Sequence, residues 1–264
     1  MRKIATLLLG SMMFVAHAQQ LVEGSTYYLP KTVVQFHILV EKTVYKPGEL
    51  AIYSGKYLKM HDVETEPSTS YRIINMQMTS VGIPDTTHVA VIDKKHSIIS
   101  LNRDDNGVLL AVNTEGSKPQ PAQSFVSAPK PAPLNAHDYM NADILAAGSK
   151  PKMAELIASE IYEIRDSRNQ LTRGEADNMP KDGEQLRIMM ANLDKQERAL
   201  MQTFIGTTEK DTTETVLTFI PEKEVNRQLL FRFSKKLGLV DADDLGGRPF
   251  FISVEDLHSL PTLS

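Results

Sequence analysis

The sequence predicts an α+β fold: a β-rich N-terminal unit, a Pro-rich linker, an antiparallel helical hairpin and a second β-rich unit. Three observations carry this. Apolar and polar residues alternate with period two near the start of the mature chain. Between 150 and 204 apolar residues recur at spacings of three and four, and β-branched segments return after 214.

The first element is a leader, residues 1–18. Arg2 and Lys3 precede the mostly apolar run Ile4–Val15, and Ala16-His17-Ala18 places small residues where a signal peptidase cuts. Cleavage is expected between Ala18 and Gln19. The apolar run is about a dozen residues, short of the roughly 20 that span a bilayer. No later segment is longer and as apolar, so no membrane span is expected after leader removal. Losing Arg2 and Lys3 moves the formal charge from −4 to −6. Cysteine is absent, which excludes disulfides, thiolate chemistry, Cys-based zinc sites and the usual lipid attachment at a cysteine behind the leader. Tryptophan is absent too, aromatics make up 6%, and the pI is near 6.0. That composition argues against nucleic acid as a partner.

Residues 19–113 read as the first β-rich unit. Val34, Phe36, Ile38 and Val40 fall on one face of a strand, with Gln35, His37, Glu41 and Thr43 on the other, and Lys46-Pro47-Gly48 ends it. Glu49–Met60 reads as a short helix. Strand patterns follow at Ser70–Val81, Thr87–Asp93, Ser97–Asn102 and Val108–Asn113, with a hairpin turn at Asp104-Asp105-Asn106-Gly107 between the last two. Residues 114–138, with Pro119, Pro121, Pro129, Pro131 and Pro133, read as a linker or long surface loop. A ligand for a proline-binding groove is the alternative for this tract.

From 139 to 264 the pattern becomes helical and then β again. Met153, Ile157, Ile161, Ile164 and Leu171 form one stripe, interrupted by Arg168. Leu186, Met190, Leu193, Leu200 and Phe204 form a second, interrupted by Glu197. Between them, Gly174 sits where a helix would end and Asp182 where the next would be capped. The stretch LTRGEADNMPKDGEQL is therefore the apex of an αα-hairpin, and symmetric pairing would place Ile164 near Met190 and Ile157 near Glu197. Thr215–Ile220, Gln228–Phe233 and Pro249–Val254 read as strands, with turns at Gly238 and at 241–247.

Motifs that carry chemistry are scarce. His37, His61, His88, His96, His137 and His258 never fall at i+2, i+3 or i+4, so no metal and no cofactor is expected. Asp241, Asp243 and Gly246 resemble the start of an EF-hand, but Leu245 and Ile252 stand at two ligand positions, leaving an acidic turn or a looser calcium site with Asp244. Ser54 lies in neither a GxSxG nor an SxxK pattern. Glu160 and Glu163 read as a wet helix face. Arg168 and Glu197 stand out because they interrupt apolar stripes; stems packed at the stripe edge with heads in water would explain them.

Three segments look distinctive: Tyr27-Tyr28-Leu29-Pro30-Lys31-Thr32, the block IYEIRDSRNQLTRGEADNMPKDGEQL, and LDKQERALMQTFIG, with Ile-Arg-x-x-Arg in the second and Leu-Asp-x-x-Glu in the third. Together with the leader they resemble an uncharacterised family of exported proteins from Gram-negative bacteria, a domain of unknown function. The resemblance spans essentially all of the mature chain and implies no catalytic residues, because the family has no assigned activity. It also implies that the natural chain continues past Ser264, leaving the last β-rich unit incomplete.

These readings lead to an exported protein of the periplasm or cell envelope, leaning away from an enzyme. Its expected role is to bind an envelope protein or polymer, with Met179, Pro180 and Lys181 at the hairpin apex as the contact. The competing class is a hydrolase or glycan-acting enzyme with a site built from scattered carboxylates.

Overall fold

The computed structural model describes residues 26–92, 101–117 and 123–257. The leader with its Ala18–Gln19 cleavage position, Asp93, Ser97–Ser100, His96, Pro119, Pro121 and His258 lie outside the described residues.

An α+β architecture is built around one long central strand. β1 (Thr26–Lys46) pairs antiparallel with β2 (Ser68–Val91) on one side and with β5 (Thr207–Phe219) on the other, in the order β2-β1-β5. β3 (Leu101–Arg103) and β4 (Leu109–Val112) make a small hairpin. β6 (Val225–Ser234) lies between β7 (Gly238–Val240) and β8 (Arg248–Val254) in a third sheet. Among the described residues there are four α-helices: α1 (Ser54–Tyr57), α2 (Ala142–Leu145), α3 (Lys150–Arg173) and α4 (Gly183–Ile205).

The alternation in β1 works as read. Phe36, Ile38 and Val40 are buried together with Phe219 of β5 and Phe231 of the third sheet. Each such side chain removed from water contributes on the order of 1.5–3 kcal/mol. A second core lies under the helices, where Leu50, Ile144, Ile157, Ile161, Leu200 and Phe204 are fully or almost fully buried. The turn at Asp104–Gly107 is present too: Asp104 Oδ1 accepts from the Asn106 and Val108 amides at 2.8 and 2.9 Å, and Gly107 takes φ +78°.

Several elements differ from the sequence reading. Glu49–Met60 is no continuous helix. It is a 3₁₀ turn at Ala51–Tyr53 followed by the single turn α1, closed where the Ser54 hydroxyl donates to the Met60 carbonyl at 3.0 Å. Ser70–Val81 and Thr87–Val91 belong to one strand. Pairing with β1 carries through Gly82–Pro84, where Pro84 lies opposite Pro30 at the edge of a register shift. β5 starts at Thr207, eight residues before its alternating apolar part, because the ladder to β1 recruits the polar stretch TTEKDTTE. Gly238, expected as a turn, instead starts the short strand Gly238–Val240, which pairs with Arg232–Ser234. At the end of 114–138, residues Ala136–Tyr139 form a 3₁₀ turn that runs one residue past it and is capped by Asn135.

The two long helices have the expected ends. Gly174, at φ +74°, donates to the Gln170 and Leu171 carbonyls, a left-handed cap that favours glycine. Asp182 Oδ1 accepts from the Gln185 amide at 2.8 Å, while Gln185 Oε1 accepts from the Lys181 amide at 3.1 Å. The pairing between the helices is displaced from the symmetric expectation. Glu197 meets Arg165 and Arg168 instead of Ile157, about 12 Å or more along α3 at roughly 1.5 Å per residue. The cause is the base of the hairpin: Leu200 and Phe204 fill the core beside Ile157 and Ile161, and the nine-residue apex is long enough to allow the shift.

Candidate functional site

The apex holds Met179, Pro180 and Lys181 at the surface, as an apex must. Met179 is 41% exposed, Pro180 half-buried and Lys181 exposed. The first half of α4 behind them is thinly covered. From Gly183 to Arg198 no residue is buried, and Ile188 and Met189 are exposed. At the base of the same hairpin the side chains disappear from water. Ile188 and Met189 thus join Met179 as exposed apolar side chains beside the apex, while Ile205 at the other end of α4 is 38% exposed.

Halfway along the hairpin the two charges that interrupt the stripes meet. Arg168 ion-pairs with Glu197 and lies 3.3 Å from Asp194, and Arg165 Nε donates to Glu197 Oε1 at 2.6 Å. Arg168 Nε and Nη2 are buried and have no hydrogen-bond partner among the described residues. Arg165 also reaches Met201 Sδ at 3.8 Å and stacks over the Tyr162 ring at 5.7 Å. In the sequence, Arg168 and Glu197 stand out as interruptions of apolar stripes, whereas Arg165 and Asp194 occur only inside the Ile-Arg-x-x-Arg and Leu-Asp-x-x-Glu motifs, with nothing to join the two. Their signal was the matched spacing, since each helix carries its two charges three residues apart.

This cluster forms one wall of a groove of about 860 Å³ that runs to the start of β5, with Arg198, Gln202 and Thr208 among its lining. A neighbouring groove of about 610 Å³ shares Arg198 and is walled by Lys130, Pro131 and Lys195. Here Arg198 donates to the Asp194 carbonyl at 3.2 Å and Lys195 sits 5.9 Å over the Tyr139 ring.

A second constellation sits on the polar face of the central sheet. His37 Nδ1 and Glu214 Oε1 are 2.9 Å apart, and Glu214 Oε2 accepts from the Phe125 amide at 2.9 Å. The Phe125 amide, then His37, hold the Glu214 carboxyl below its usual range. Lys130 does the same for Asp211 across 2.9 Å. Glu214 and Asp211 thus fasten the Pro-rich segment to β5. The His37 Nε2 and Thr79 Oγ1 atoms are buried on this face without a hydrogen-bond partner among the described residues.

The remaining sequence candidates have structural roles. Asp244 Oδ1 accepts from the Gly246 amide at 2.8 Å, and Arg232 donates to the Ala242 and Gly247 carbonyls, so the acidic stretch is a fastened turn. Glu160 accepts from Asn141 at 3.0 Å, which tethers α2 to α3. Ser54 closes α1. No group of three or more His, Asp or Glu among the described residues is arranged to hold a metal. No helix there is long and apolar enough to cross a membrane.

No characterised protein and no solved structure matches the chain significantly, so no site residue carries over from a relative. The family does emerge: residues 23–264 match the model of the domain of unknown function DUF4831, and the chain belongs to that family.

Proposed function

We propose that the chain is an exported cell-envelope protein of a Gram-negative bacterium that binds another envelope protein or a polymer and performs no chemistry of its own. One observation carries the binding role, the contrast along the hairpin. Its base is sealed by Ile157, Ile161, Leu200 and Phe204, whereas Met179, Ile188 and Met189 stand in water toward the tip. Apolar side chains gathered on a projecting element are what a docking surface needs. The basic start, apolar run and small residues of the leader support export, with cleavage between Ala18 and Gln19.

The test is crosslinking in the cell from positions 179 and 188, followed by mass spectrometry of the attached species. One envelope component recovered from both positions, and not from position 105 in the β3–β4 turn, supports the reading. Background species alone from the two hairpin positions would overturn it. Sequencing the N-terminus of the envelope-associated protein tests export separately, and it should begin at Gln19.

The competing reading, a hydrolase or glycan-acting enzyme, has a single observation in its favour: Asp194 and Glu197 line the larger groove. Both are engaged by arginines, whereas a general acid at neutral pH needs apolar surroundings. Hydrolysis of an envelope polymer that Glu197→Gln abolishes without unfolding would favour the enzyme.

A further inference from the structure

We propose that two copies of this chain associate edge to edge through β2, as an antiparallel strand pair about a two-fold axis near Thr79. The two edges of the central sheet are unlike. β5 carries Glu209, Lys210, Asp211 and Glu214, and the Pro-rich segment is fastened along it through Phe125 and Lys130. β2 is bare by comparison. Among the described residues its outer edge takes one backbone bond, from the Tyr71 amide to the Lys235 carbonyl at 2.8 Å. A long uncovered edge is a template for another strand.

The sequence of that edge fits a second copy of itself. From Ile73 to Pro84 there is no charge, and Ile74, Met76, Met78 and Ile83 are 42%, 48%, 67% and 36% exposed. Arg72 precedes this stretch and Asp85 follows it. Antiparallel pairing about Thr79 sets Met78 against Ser80, and Met76 against Gly82, of the other copy, so each large side chain meets a small one. The bulge that leaves Ile74 unpaired with β1 supplies the extra residue that brings Arg72 opposite Asp85, twice by symmetry. Parallel self-pairing would face like charges instead. Arg72 now reaches Glu41 at 3.1 Å with most of its side chain in water, and Asp85 is held by Thr87 and His88. Arg72 is therefore exposed, and Asp85 is half-buried beside the edge. Pro84 has no amide hydrogen and ends the pairable run.

The measurement is sedimentation equilibrium of the purified full chain over a range of concentrations, with circular dichroism to check folding. A reversible dimer is expected. Arg72→Asp or Asp85→Arg faces like charges twice and should weaken association about tenfold, and the double variant R72D/D85R should regain most of it. Met78→Lys, at a largely exposed position, should weaken it independently. A monomer throughout would overturn the proposal, as would a dimer indifferent to these changes.

Discussion

Arg168 on α3 and Glu197 on α4, each a charged residue within an apolar stripe, face one another across the hairpin as an ion pair that Arg165 and Asp194 extend. Glu197 is the shared anion, and only 15% of its side chain is exposed. Glu197→Ala leaves two guanidinium groups short of a partner and should cost about 1–2 kcal/mol, less than a fully buried pair because Arg165 and Arg168 keep contact with water. Urea denaturation reads this directly. A change within about 0.3 kcal/mol, inside the noise of surface substitutions, would mean that the cluster contributes nothing.

Replacing both partners separates charge from packing. Arg168→Met together with Glu197→Leu should recover much of the stability lost in Glu197→Ala, because paired apolar side chains can stand in for a partly buried ion pair. If the double variant is less stable than the single one, the ions themselves position the helices.

Ile161 is fully buried in the helical core and Met179 stands at the apex. Ile161→Asp should destabilise by at least about 4 kcal/mol, because it removes core packing and buries an unpaired charge. Met179→Ala should stay within about 0.5 kcal/mol. Far-ultraviolet circular dichroism on heating tells them apart, and the reverse ranking would undo the assignment of base and tip.

Acid should loosen the Pro-rich segment. The carboxyls of Glu214 and Asp211 both lie below their ordinary values of 4.5 and 3.8 in the folded chain. Their contribution is complete above those values and is lost as pH falls through the lower folded ones. Exchange of the Phe125 amide, taken relative to its intrinsic rate, should be flat from about pH 5 to 8 and rise below about pH 4. Glu214→Gln should remove much of that rise. Protection that does not change down to about pH 3 would mean that the carboxylates are not what holds the segment.

Gly206 joins α4 to β5 at φ +73° and ψ −165°, a region that only glycine occupies freely. A Cβ there would collide with the Lys46 carbonyl and approach the Pro47 Cα to 2.9 Å, backbone atoms that cannot swing aside. Gly206→Ala should therefore lower stability by about 2 kcal/mol or more, read by thermal unfolding, while Gly148→Ala, with open space around it, should not.

Local chemistry was legible in the sequence where it alone decides structure. The Gly174 and Asp182 caps, the Asp104 turn and the inward face of Phe36, Ile38 and Val40 all follow from side-chain and backbone preferences within a few residues. What stayed hidden depends on partners far away in the chain. The polar start of β5 has no alternation of its own and is extended only because β1 pairs with it. β2 runs through Gly82 and Pro84 for the same reason. The ion cluster was half visible: Ile-Arg-x-x-Arg and Leu-Asp-x-x-Glu were noticed as separate motifs, but the helix offset that joins them is set by how Leu200 and Phe204 fill the base. His37 and Glu214 gave no signal, because strand register alone brings them together.

The central position of β1 also orders events in time. Lys46 bonds Glu209 across 163 residues of chain. On any route that delivers the N-terminus first, β1 emerges with one side open and stays so until the whole hairpin has followed. The middle strand of the sheet is thus made early and sealed late. A chain arrested anywhere before Thr207 would present two unprotected edges, so this protein's risk of aggregation should depend on how fast its later half is delivered.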